Sequence, residues 1–141
     1  MIEFTIPGEP KGKARPRLGR GGHTYTPRDT RQYEHEVAEA YYRVLPQDAE
    51  EVKPIEGPVA VEITAYFGIP RSKSKKERLR IIRENVRPTK KPDIDNIEKI
   101  ICDALNGIAY RDDSQVTDSY VRKRYVSEDE EPRVCVMIME V

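Results

Sequence analysis

Two rhythms of hydrophobic and polar positions run along this chain. Ile2, Phe4 and Ile6 alternate with polar neighbours, which predicts a short strand ended by Pro7. PVAVEITAYF alternates Val59, Val61, Ile63, Ala65 and Phe67, the clearest strand pattern in the sequence. Residues 116–126 repeat that alternation weakly. RVCVMIMEV is apolar at successive positions, which predicts a strand either central in its sheet or covered by another subunit. The helical rhythm starts at Tyr33, Val37, Tyr41 and Val44 and stops at Pro46. Thr26 is the expected N-cap of that helix, with Pro27 in its first turn and Asp29 facing exposed amides. DNIEKIICDALNG sets Ile97, Ile100, Ile101, Ala104 and Leu105 on one face. Asp95 is its expected cap, Glu98 completes a capping box and Gly107 closes the helix.

Two stretches lack a strong period. GEPKGKARPRLGRGGHTYTP is rich in glycine, proline and basic residues, and reads as a long, mobile, cationic loop. SKSKKERLRIIREN, residues 72–85, has only a narrow apolar stripe and is expected to form a basic, weakly supported helix. The order of elements predicts an α+β fold: a single domain over residues 1–141, with a mixed sheet of about four strands packed by helices on one face.

Composition sharpens this picture at one point. Lys plus Arg and Asp plus Glu both number 25, so the formal net charge is zero. The charges are nevertheless segregated, with bases in 11–31 and 71–91 and acids in 48–51 and 128–131. A basic face attracts polyanions even on a neutral molecule. Cys102 and Cys135 have no His or Cys at zinc spacing and are expected to be buried thiols. With no signal-like or membrane-spanning stretch, the expected location is the cytoplasm.

The candidate chemistry lies in KKPDIDNIEKIICDALNG and the following YRDDSQV. Asp93 and Asp95, at i and i+2, can both reach one cation if the backbone between them is extended, and Pro92 biases Lys91 away from helix. Asp113 arrives from the turn after the helix. Mg²⁺ takes oxygen ligands and keeps several waters, which suits such a cluster, while Lys99 offsets the repulsion among the acids. The same residues have a plainer account. Asp95 can be only a cap, Asp93 a dipole partner, Lys99 a surface ion pair with Asp95 or Asp103, and Asp112 and Asp113 turn formers. Spacing alone favours that account. The basic stretch beside the acids shifts the balance, because cations that gather phosphate next to acids that gather metal make a phosphodiester-cleaving site.

Asp-x-Asp-Asn, a lysine four residues after the second Asp, Asp-Ala-Leu and then Asp-Asp-x-Gln together resemble the signature of the RusA family of Holliday junction resolvases. The initial strand, the basic N-terminal loop and the PRSKSKK segment follow the family's order, so the resemblance spans most of the chain. It implies a homodimeric endodeoxyribonuclease that uses Mg²⁺, with Mn²⁺ as a substitute, to resolve four-way junction DNA by paired symmetric nicks. By position, Asp93, Asp95 and Asp113 correspond to the metal-holding carboxylates and Lys99 to the catalytic lysine, with Asn96, Asp112 and Gln115 in supporting places. On charge alone, Lys11, Lys13, Arg15, Arg17, Lys73, Lys75, Lys76, Lys90 and Lys91 are expected to contact DNA. Two alternatives stay open: a nuclease for flaps or forks, and a branched-DNA-binding protein without activity. The intact acids and lysine argue against the second.

Overall fold

The computed structural model describes residues 1–48 and 53–141, so the acidic stretch at 48–51 falls largely outside it. Four strands make the main sheet: β1 (Ile2–Pro7), β4 (Val59–Phe67), β5 (Val116–Tyr125) and β6 (Arg133–Glu140). Their order is β1-β6-β4-β5. β6 runs antiparallel to both neighbours, whereas β4 and β5 are parallel. Two helices, α1 (Arg28–Arg43) and α3 (Ile94–Leu105), cover one face. The expected mixed α+β architecture is what forms.

Strand alternation explains which side is covered. Val59, Val61, Ile63, Ala65 and Phe67 of β4 are buried, as are Val134, Val136 and Ile138 of β6. Against them α1 sets Tyr33, Val37, Ala40 and Tyr41, and α3 sets Ile97, Ile100, Ile101, Ala104 and Leu105. Removing one of these side chains, for instance Ile100→Ala, costs about 2–5 kcal/mol, since the close-packed surroundings relax only partly. The remaining side chains of β6, Cys135, Met137 and Met139, point to the opposite face and are half-buried. The strand with apolar residues on both faces is therefore central, between β1 and β4.

Helix ends differ from the sequence reading. α1 starts one residue later than expected: Pro27, not Thr26, is its N-cap, and the extended Pro27 carbonyl accepts from the Arg31 N–H at 3.1 Å. α3 is capped by Asp93, not Asp95, because Asp93 is extended (φ −71°, ψ 158°) and its carbonyl accepts from the Ile97 N–H at 3.0 Å. Asp95 is already inside the first turn, so the capping box of Asp95 with Glu98 does not form. Gly107 does close the helix, at φ +77°, where a side chain is strained. The basic helix α2 spans Lys75–Arg83, shorter than 72–85, and begins where the Ser74 hydroxyl accepts from the Glu77 N–H. It stands apart from the main core and buries only Ile81. The cationic loop contains a two-residue ribbon, β2 (Arg17–Leu18) against β3 (Thr24–Tyr25), turned by Gly21 and Gly22 at positive φ. Two residues per strand are too few to show a period.

Candidate active site

One stripe of α3 is buried in the core, and the stripe beside it carries chemistry. Asp95, Glu98, Lys99, Cys102 and Asp103 recur at i, i+3, i+4, i+7 and i+8, which places them along one side of the helix. With Asp113 and Val116 they line a hollow of about 220 Å³. Asp95 and Lys99 are exposed, while Glu98, Asp103 and Asp113 are half-buried. Asp93 is exposed at the mouth of the helix and is not among the lining residues. Its carboxylate makes no capping hydrogen bond, so it stays available.

Asp113 comes from a 3-10 turn, Asp113–Gln115, whose neighbours fix it tightly. The Asp112 carboxylate accepts from the Ser114 N–H at 3.0 Å, and this bonding to Ser114 holds its pKa below the ordinary value. The Gln115 side-chain oxygen accepts from the Arg111 and Asp112 N–H groups at 2.8 and 2.9 Å. Its amide nitrogen donates to the Ile55 and Gly57 carbonyls, both at 2.8 Å. Gln115 thus clamps the turn onto the segment leading into β4. The two adjacent acids are thereby divided: Asp112 is consumed by the turn, and Asp113 lines the hollow.

Hard oxygen donors suit a hydrated divalent cation, and Asp95 and Asp113 line one hollow from two elements, with Asp93 at the N-cap of α3. Among the described residues no three His, Cys, Asp or Glu side chains close up as a ready-made metal cage. Cys102, at the floor, is buried, and burial pushes its thiol up to about 11. A neutral thiol is a poor ligand.

The basic residues separate into two groups. Arg15 and Arg17 are exposed, as are Lys73, Lys75, Lys76, Lys90 and Lys91. Lys73 pairs with Glu77 at 3.8 Å, and Lys90 lies 5.5 Å from the centroid of the Phe67 ring. Lys11 is exposed, with its ammonium 5.9 Å from the Tyr33 ring centroid. Lys13 departs from the expectation that it faces DNA. Its ammonium meets Glu34 at 2.6 Å and Asp103 at 3.2 Å, and its side chain is only 16% exposed. Burial opposes its charge, and hydrogen bonds to Glu34 and Asp103 outweigh that, so its pKa is raised. The Lys13 N–H donates to the carbonyl of Asn96 at 3.0 Å, which ties Asn96 to the root of the basic loop. Glu98 and Asp103 were missed as site residues by sequence reasoning. Counting i+3 and i+8 from Asp95 finds both.

Among the described residues no helix is long and apolar enough to cross a membrane. A protein of Bacillus subtilis (strain 168), described as "Uncharacterized protein YqaN", is 41% identical over 145 residues, covering 99% of this chain and 96% of that protein. The sequence profile described as "Endodeoxyribonuclease RusA" matches residues 7–139. With nearly the whole chain matched, the protein belongs to the RusA endodeoxyribonuclease family.

Proposed function

We propose that this protein is a divalent-metal-dependent endonuclease that resolves four-way DNA junctions as a homodimer. The observation that carries the chemistry is the shared hollow of Asp95, Lys99 and Asp113, reached from α3 and the 3-10 turn. Asp93, Asp95 and Asp113 are the oxygen donors that would hold Mg²⁺ or Mn²⁺. When bound, that ion supplies a polarised scissile phosphate and a more acidic water. Lys99 offers an ammonium to the charge that develops on the leaving oxygen. The exposed Arg15, Arg17, Lys75 and Lys76 hold backbone phosphates outside the hollow.

The dimer follows from the need for two nicks in opposed strands, since one chain carries one such hollow. The sheet face turned away from α1 and α3 supports it. Across that face Glu3, Glu62 and Asp118 lie toward one end, and Arg122, Arg124 and Arg133 toward the other. Met137, Met139, Tyr66 and Tyr120 lie on the same face. A two-fold axis in the plane of the face and parallel to the strands would lay acid on acid. An axis perpendicular to the strands lays the acidic end on the partner's basic end, so that choice is favoured.

The deciding experiment compares a four-way junction, a flap, a fork and plain duplex, each with Mg²⁺, Mn²⁺, Ca²⁺ or EDTA. Paired nicks in the junction with Mg²⁺ or Mn²⁺ support the proposal. Undiminished cutting in EDTA would remove the metal, and a preference for the flap or fork would reassign the substrate. Asp95→Asn and Asp113→Asn should bind the junction and leave it whole.

A further inference from the structure

Asp103 is a lone acid in the second half of α3, and the family chemistry described above gives it no task. Its carboxylate lies 3.6 Å from the Lys99 ammonium, one helical turn earlier, and 3.2 Å from the Lys13 ammonium. The two contacts differ in kind. Lys99 is 61% exposed at its side chain, a long flexible amine with many accessible rotamers. Asp103 is 22% exposed and is held from behind by Lys13, itself anchored on Glu34 of α1 at 2.6 Å. A mobile cation therefore leans on a fixed anion.

The fixing reaches further. The Lys13 N–H bonds the Asn96 carbonyl, and Gly12 passes hard against Pro92 and Asn96, so the root of the basic loop is stapled to the first turn of α3. The root of the loop, the first turn of α3 and Asp103 are thereby tied together through Gly12 and Lys13. We infer that Asp103 is the positioning residue for Lys99, and that Lys13 serves as the fastener of this arrangement instead of as a DNA contact. Without Asp103 the Lys99 ammonium samples its rotamers freely, and fewer of them face the hollow. Misplacement of a catalytic group by about 1 Å costs roughly a hundredfold in rate, so partial loss of orientation should cost about tenfold.

The inference rests on Lys99 acting in the reaction, and the test keeps the two apart. Single-turnover junction cleavage, junction Kd and Tm are measured for Asp103→Asn, Lys99→Ala and the double variant. Asparagine keeps the shape of the side chain and removes its charge. The expected result is an Asp103→Asn rate about tenfold down with an unchanged Kd, and a double variant no slower than Lys99→Ala alone. Wild-type cleavage by Lys99→Ala would overturn the reading of the site itself. A slow Lys99→Ala with a full-rate Asp103→Asn would overturn only the role of Asp103. Equal slowing by Asp103→Asn in both backgrounds would do the same, since Asp103 would then be acting on something other than Lys99.

Discussion

Gly12 lies so close to Pro92 that a Cβ built on it would stand 2.7 Å from the Pro92 Cβ and 3.1 Å from that of Asn96. A proline ring atom cannot swing aside as the end of a flexible side chain does. Gly12→Ala must therefore push the loop root away from the mouth of α3. The expected cost is about 1–3 kcal/mol of stability, read from urea melts. Cleavage should fall further than the melt accounts for, because the displaced turn carries Asp93 and Asp95.

Gln115 makes four hydrogen bonds with one side chain, and none of them goes to Asp93, Asp95 or Asp113. Gln115→Leu leaves those partners to find water and frees the turn that aims Asp113. About 1–3 kcal/mol of stability should go, with a larger relative loss of cleavage rate. Asp112→Ala is the control: it should lower stability, since the turn loses its cap, while the protein still cuts. A dead but stable Asp112→Ala would show that the two acids have been assigned the wrong way round.

Salt dependence distinguishes the lysines. Junction affinity should fall with added salt along a log–log slope of about −0.9 for each phosphate contact. Neutralising Lys75 and Lys76, both exposed on α2, should flatten that slope by up to about two contacts. Lys13→Met should leave the slope unchanged and lower Tm, since its charge is spent on Glu34 and Asp103.

Burial pushes the Cys102 thiol up to about 11, from an ordinary value of 9.0. The folded chain keeps that proton where the unfolded chain has released it. The resulting stability is complete below about pH 9 and is lost as pH rises toward about 11, a total of about 2–3 kcal/mol. Urea melts of metal-free protein at pH 8 and pH 10 should show the decline. In Cys102→Ala it should be smaller; an equal decline would place the alkaline sensitivity elsewhere.

The charge pattern of the uncovered sheet face predicts a swap. A chain with Arg124→Glu and Arg133→Glu is acidic at both ends of the face, and one with Glu3→Lys and Asp118→Lys is basic at both. Light scattering should give monomers for each alone and a heterodimer on mixing. Two variants that both remain dimeric would move the interface to another surface.

The parts of this protein that repeat were legible in its sequence. Alternation in β4 and the 3-4 spacing in α3 located the core because burial acts on every residue of such an element. Caps were less legible: Asp93 and Asp95 are equally good capping residues, and the choice was made by the extended backbone at Asp93. In sequence Lys13 looks like one more base in a basic loop, because its partners Glu34 and Asp103 are remote and meet only when α1 packs on α3. The division of labour between Asp112 and Asp113 was likewise hidden, since it depends on where a three-residue turn points.

The placement of β6 between β1 and β4 has a consequence in time. Every residue assigned to the site precedes β6, yet β1 has no partner in the main sheet until β6 arrives. The pairing of Ile2 with Ile138 closes nearly the whole chain into one loop, a slow, non-local event. Until then β1 shares no edge with β4 or β5. The main sheet is whole only once β6 has paired with both β1 and β4.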